Sequence, residues 1–136
     1  MIRVAPGNIE NPQQITAVVA GPDQANRLFV LDGQLNVSLW SSNQVPAKET
    51  FSVLLGPVLT RRQFVQASGS AAITGLNTSG GGGAGSWSWL VASVDADWDD
   101  ESGQVELRVE VSLTPGAGSI VQLSKLGYHV TILAEV

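Results

Sequence analysis

The chain contains no cysteine and few charged residues. Without cysteine it cannot form disulfides, thiol nucleophiles or cysteine-based zinc sites. Charged residues make up 14% of the sequence, well below the roughly one quarter that is usual in globular proteins. The polar surface must therefore come from Ser, Thr, Asn, Gln and Gly, as is typical of packed assemblies and of particle or extracellular proteins.

Long apolar runs and basic patches are also missing. No apolar run approaches the ~18 residues of a membrane helix, so no membrane span is expected. The N-terminus shows no basic-then-apolar leader, so no signal peptide is expected and the localisation stays open between a particle and non-classical export. Arg61 and Arg62 are the only adjacent bases. Because two charges do not make the basic patch that phosphate binding needs, no nucleic-acid partner is expected.

Helical periodicity is absent as well. No segment of eleven or more residues keeps a 3.6-residue period, so negligible helix is predicted. Short alternating segments between Gly, Pro, Asn and Asp predict eight to ten strands. The sequence therefore predicts an all-β fold, a two-sheet antiparallel β-sandwich of jelly-roll or immunoglobulin-like type. Its 136 residues suit one domain, 1–136, with a flexible Gly-rich loop at residues 77–86.

The clearest strand pair lies at residues 87–113. Apolar and polar residues alternate from Gln104 to Leu113, so one face of this strand is buried and the other is wet. The preceding strand carries a matching apolar set at Leu90, Ala92, Val94, Ala96 and Trp98. Pairing Trp98 with Val105 aligns the two sets and leaves residues 100–103 as a loop. Gly103 then occupies a position where a positive φ is favourable only for glycine.

Other strand boundaries are predicted from turn residues. Residues 14–20 form a strongly apolar strand, and residues 59–67 and 71–76 form two further strands. Residues 27–31 and 35–40 flank Asp32-Gly33, a dipeptide that favours a tight hairpin turn. Residues 120–125 either pair with residues 127–136 or continue into them across Gly127.

The acidic residues are concentrated on the predicted hairpin. Between residues 95 and 110 lie seven acids and one base, a local net charge of −6 against −5 for the whole chain. Oxygen ligands at Asp95, Asp97, Asp99 and Glu106 predict a calcium site, since their spacing resembles an EF-hand loop. Asp100 stands where that loop needs glycine and the flanks are strands, so an EF-hand is excluded, whereas a looser calcium site at the hairpin tip is left open. The alternative is a solvated, charged tip that resists aggregation.

Two indoles form the candidate binding surface. Trp87, Trp89 and Val91 alternate on the face opposite the apolar set of the same strand. Another subunit can cover them, because aromatic residues are enriched at interface hot spots. They can instead stack on sugar rings, or lie buried beneath the Gly-rich loop.

Catalysis is not expected. His129 is the sole histidine, it lies within a strand, and no G-x-S-x-G nucleophile elbow occurs. The grouped carboxylates lie on an open turn, where they stay ionised rather than serving as a general acid. The sequence favours a non-catalytic structural protein, a homo-oligomeric subunit of a particle, fibre or surface layer, with no cofactor apart from the calcium. The alternative is a carbohydrate-binding module that uses Trp87 and Trp89, with calcium supporting the acidic tip.

Overall fold

The chain folds into strands. The computed structural model describes residues 1–20, 24–80 and 87–135, with eight strands and a short 3₁₀ turn at Pro6–Asn8. The strands are β1 (Ile2–Arg3), β2 (Ile9–Ala20), β3 (Ala25–Ser42), β4 (Ala47–Leu55), β5 (Phe64–Gly80), β6 (Ser88–Trp98), β7 (Val105–Thr114) and β8 (Ser119–Glu135). The described residues contain no α-helix, so the all-β prediction is confirmed.

The strands form two four-stranded sheets. The first sheet has the order β1-β4-β7-β6 and the second has the order β2-β3-β8-β5. Neighbouring strands are antiparallel, except that β1 runs parallel to β4. The inner faces of the two sheets share one apolar core, so the predicted two-sheet β-sandwich is confirmed. No helix in the described part of the chain is long and apolar enough to cross a membrane.

The β6–β7 hairpin has the predicted register. Trp98 pairs with Val105, and Gly103 has a φ of +74°. The backbone N–H of Asp99 donates to the carbonyl of Gln104, with 2.8 Å between the nitrogen and the oxygen. The inner residues of β7 are fully buried, as their alternation requires: Val105, Leu107, Val109, Val111 and Leu113.

One half of β6 departs from the predicted face. A register shift between Val91 and Ser93 inserts one residue, so the side chains before it change face. Leu90 pairs with Ser112 on the outer face and is 48% exposed, whereas Trp89 pairs with the buried Leu113. The prediction that Leu90 and Ala92 share the inner face with Val94, Ala96 and Trp98 is therefore wrong.

Asp32-Gly33 does not form a turn. Both residues lie inside the continuous strand β3, where Asp32 pairs with His129 and Gly33 with Tyr128. A Cβ atom at position 33 would overlap the Tyr128 ring, so packing rather than turn geometry requires this glycine. The predicted hairpin turn at this position is therefore wrong, and β3 instead pairs with β2 from Ala20 and Ala25 onward.

Two other predicted boundaries change. Residues 59–67 and 71–76 were expected as separate strands, but β5 starts at Phe64 and runs unbroken to Gly80, with register shifts that absorb its irregularities. Residues 77–80 of the predicted Gly-rich loop therefore belong to β5, and residues 81–86 lie outside the described part of the chain. The strand β8 continues across Gly127, which selects the second of the two predicted alternatives.

Candidate functional site

Strand β2 forms one edge of the second sheet. Within the described residues, β2 pairs with β3 alone and is the last strand of its sheet. Every residue from Asn11 to Ala20 is exposed, and none of these ten residues is charged. Residues 13–20, which pair regularly with β3, form the β2 edge. In the described part of the chain, no second strand therefore pairs with the apolar strand predicted at residues 14–20.

Both faces of the β2 edge carry exposed apolar side chains. Ile15 and Val19 lie on the outer face, where they are 68% and 45% exposed. Val18 lies on the opposite face and is 69% exposed. Natural edge strands are usually protected by charges, bulges or proline, because unpaired backbone groups beside apolar side chains recruit other strands. The β2 edge carries no charge. The irregular part of strand β2 ends just before the β2 edge begins at Gln13.

That irregular part lies at residues 10–12. The pairing with β3 shifts between Glu10 and Gln13, and Asn11 has a φ of +49°. Pro12 has no backbone N–H. Glu10 is held by its neighbours, since its carboxylate accepts hydrogen bonds from Asn36 and Lys125, both at 2.9 Å. Protective features therefore occur at the start of β2 and are absent from residues 13–20.

The predicted tryptophan pair remains partly exposed. Trp87 precedes β6 and is 39% exposed, and Trp89 is 44% exposed. Val91 is partly buried against the core and lies on the same face of β6 as Trp89. Because of the bulge, Trp89 lies on the inner face at an end of the sandwich instead of the outer face. A binding role for Trp87 and Trp89 stays a prediction.

A third exposed indole was not identified from the sequence. Trp40 lies on the outer face of β3 and is 61% exposed. It pairs with Gln122 of β8, which pairs in turn with Asn77 of β5. The three side chains form the Trp40 row, an aromatic ring beside two exposed amides on adjacent strands. The sequence signal for it is weak because Trp40 is predicted in a strand and Asn77 in the Gly-rich loop, with no local pattern that brings the two together.

The acidic residues surround a small cavity on the outer face of the first sheet. The cavity has a volume of about 110 Å³ and is lined by Asp95, Asp97, Asp99, Glu106, Trp98 and Arg108. Asp97 pairs with Glu106 and Asp95 pairs with Arg108, as the hairpin register predicts. The structure therefore brings the four predicted calcium ligands to one place.

Glu106 already has cationic partners there. Its side chain is only 6% exposed, and its carboxylate contacts Arg3 of β1 as well as Arg108, whose Nε lies 2.5 Å from Oε1. The contact with Glu106 raises the pKa of Arg108. No group of three or more His, Asp or Glu side chains in the described residues has an arrangement that could hold a metal ion. The two arginines neutralise the carboxylate that a cation would otherwise use, and calcium binding stays a prediction.

Asp99 closes the hairpin turn. Its Oδ2 accepts hydrogen bonds from the hydroxyl and the backbone N–H of Ser102, at 2.6 and 3.0 Å. These two hydrogen bonds, with smaller contributions from Arg3 and Arg108, lower the pKa of Asp99. The predicted ligand therefore acts as a turn acceptor in this structure.

A row of polar side chains crosses the outer face of the second sheet. Asp32, His129 and Ser70 pair across three adjacent strands, and Nδ1 of His129 lies 2.5 Å from Oδ1 of Asp32. An open depression of about 450 Å³ lies beside them. In the described part of the chain no hydrogen bond joins Ser70 to His129, and about half of each side chain of the His–Asp pair faces solvent. Within the described residues, the row therefore lacks the hydrogen bond that would align a serine nucleophile with a histidine base.

No protein family model, no curated protein and no solved structure matches the chain.

Proposed function

We propose that the protein is a non-catalytic structural subunit that assembles with copies of itself, and that the β2 edge is its main contact surface. The observation that carries this proposal is the run of ten exposed, uncharged residues, 11–20, on a strand that pairs only with β3 among the described residues. Such an edge offers main-chain hydrogen-bonding groups and apolar side chains together, which is the chemistry of strand addition. The low charge content already predicts a homo-oligomer, and the β2 edge is the surface through which we propose that it forms.

The energetics favour a covered edge. Fully burying a valine or isoleucine side chain stabilises by ~1.5–3 kcal/mol, and Ile15, Val18 and Val19 are all largely or half exposed. Pairing also satisfies the outward N–H and C=O groups of β2 without breaking the sheet. A charged partner gains nothing at this strand, because residues 13–20 contain no charge. These properties support an apolar strand as the partner.

Sedimentation of variants tests the proposal. At micromolar concentration and above, the wild-type protein should sediment as an oligomer, and Val18→Lys should reduce it to a folded monomer. Lysine at this exposed position places a charge on the β2 edge, which protects the edge against the addition of another strand. Val45→Lys is the matched control, because Val45 is 58% exposed in the turn after β3, and this variant should stay oligomeric. A wild-type protein that remains monomeric at every concentration overturns the proposal.

Trp87 and Trp89 are a second contact surface in this proposal. Each indole can bury ~150–250 Å², and both are exposed at the end of the sandwich away from the hairpin turn. They suit contacts between assembled units in a particle, fibre or layer. Replacing both with alanine should reduce the size of the largest species while leaving the smaller β2-dependent species intact.

Carbohydrate binding is the second candidate function, and the Trp40 row favours it. An exposed indole stacks on the apolar face of a sugar ring, and the neighbouring amides of Gln122 and Asn77 can donate and accept hydrogen bonds. Titration with polysaccharides, with and without calcium, should shift indole fluorescence if this function holds. Loss of the shift in Trp40→Ala would assign it to the Trp40 row, and loss in the Trp87→Ala/Trp89→Ala variant would assign it to the pair predicted from the sequence.

A further inference from the structure

The part of β2 that can accept a new strand has defined ends. Pairing with β3 is regular from Gln13 to Ala20, where the strand stops. On the other side Pro12 lacks an N–H and Asn11 has a positive φ, so a partner strand cannot continue there. A partner therefore has to fit a segment of eight residues.

On the outer face of this segment, the order of large and small side chains is the same in both directions. On the outer face Ile15, Ala17 and Val19 present large, small and large apolar groups, and reversal about Ala17 maps Ile15 onto Val19. On the inner face the same reversal places Thr16 opposite Val18 and Gln14 opposite Ala20. No like charges meet, because the segment has no charge. A second, antiparallel copy of the segment is thus complementary to it.

We propose that the unit of assembly is a two-fold dimer in which β2 pairs antiparallel with β2 of a second copy, with Ala17 on the symmetry axis. This proposal rests on the proposed function and names the partner strand and its register. Moving the axis to Thr16 would place Gln13 opposite Val19 and Gln14 opposite Val18. Moving the axis to Val18 would reduce the number of β2 residues that pair between the two copies. Of these three registers, only the one centred on Ala17 places all three apolar residues of the outer face, Ile15, Ala17 and Val19, opposite one another.

This mode of pairing closes on itself. A two-fold contact uses the same surface of both copies, so it makes a dimer and leaves no β2 edge for a third copy. The opposite edges of the two sheets, β5 and β6, pack against each other, and β1 is only two residues long. Strand pairing therefore yields one continuous eight-stranded sheet, and larger assemblies need another surface.

The absence of cysteine makes the register directly testable. Directly opposed residues of an antiparallel pair have Cα atoms ~4.5–5.5 Å apart, which lies within the ~4.4–6.8 Å range of disulfides. Under mild oxidation, Ala17→Cys should form a disulfide-linked dimer nearly completely. Ala17 is exposed, so circular dichroism of the variant should match the wild type.

Matched cysteine variants distinguish cross-linking that depends on the register from cross-linking by random collision. Thr16→Cys alone and Val18→Cys alone should cross-link poorly, because each cysteine lies two residues, ~7 Å along the strand, from its own copy. A mixture of the two should form the disulfide-linked heterodimer, and Val45→Cys should behave like the poor cross-linkers.

The outcomes distinguish the two proposals. If Val18→Lys dissociates the oligomer but Ala17→Cys links no better than Val45→Cys, the two-fold register is overturned while assembly through β2 stands. If Thr16→Cys links best, the axis is misplaced and the register is overturned as well. A monomeric wild-type protein would overturn both proposals.

Discussion

At the scale of single residues, period-two alternation predicts which side chains of β7 are buried, but it does not predict what covers the wet face. Leu107 is fully buried as expected. Glu106 was expected on a solvated face, yet it is nearly as buried as the core because Arg3, 103 residues away in sequence, folds over it. A contact between residues so far apart in the chain leaves no local sequence pattern, so the sequence does not predict the pairing of Glu106 with Arg3.

Alanine substitutions test this assignment of faces. Leu107→Ala should destabilise the protein by about 2–4 kcal/mol, the usual range for emptying a buried leucine site. Glu106→Ala should destabilise it by about 1–2 kcal/mol, because two charged hydrogen bonds are lost while the arginines remain half solvated. Glu110→Ala is the control, since Glu110 makes a more exposed ion pair with Lys48, and it should change stability least. Urea denaturation measures all three, and equal effects of Glu106→Ala and Glu110→Ala would contradict the buried pairing.

The lowered pKa of Asp99 predicts a pH dependence. Since the folded-state pKa lies below the unfolded-state value, the unfolded chain binds more protons in this range. The Asp99 contribution is therefore complete above the ordinary aspartate pKa of ~3.9 and is lost as pH falls through the folded-state value. Ser102→Ala removes the largest cause of the shift, so the difference in melting temperature between wild type and variant should be largest at neutral pH and should shrink in acid. Ser38→Ala, at an exposed serine of β3, should show no such pH-dependent difference. A difference that stays constant through the acid range would contradict the role assigned to Asp99.

At the scale of elements, the sequence predicts the strands correctly where two paired strands follow each other in the chain. The prediction fails where the paired strand lies far away in the chain. The β6–β7 register follows from two apolar sets and Gly103, which all lie within one hairpin. The Asp32-Gly33 signal is equally strong locally, but β3 pairs along its length with β8, almost one hundred residues later. A tight turn at Asp32 would break that pairing. The bulge in β6 also has no signal in the alternation, since Leu90 and Ala92 are as apolar as the residues that do face the core.

The packing of Gly33 provides the test at this scale. Gly33→Ala should destabilise the protein by about 1–3 kcal/mol, the usual effect of overfilling a packed site, because the new methyl group meets the Tyr128 ring. In a Tyr128→Leu background the same substitution should cost far less, which a double-mutant cycle measures. Gly7→Ala is the control, since no atom lies within 4 Å of its added Cβ. Equal effects of Gly33→Ala in both backgrounds would contradict the account of this glycine.

At the scale of the whole molecule, composition and turn spacing predict the sandwich, but the order of strands in a sheet cannot be read from them. The sequence predicts a strongly apolar strand at residues 14–20, and an apolar strand is ordinarily assigned to a sheet interior. Only the position of β2 at the end of the second sheet turns those residues into an exposed edge. The sequence therefore predicts the strand that carries the candidate site, whereas the exposure of this strand follows from the strand order of the sheet.

Hydrogen exchange along β2 tests the central claim most directly. In a monomer, alternate amides of residues 13–20 point away from β3 and lack acceptors, so they should exchange quickly while their neighbours are protected. In the assembled protein both sets should be protected, and residue-resolved exchange should show the outward set becoming fast again on dilution and in Val18→Lys. Val45→Lys should keep both sets protected. If the outward amides still exchange quickly at concentrations where the protein sediments as an oligomer, then assembly does not use the β2 edge and the central claim is wrong.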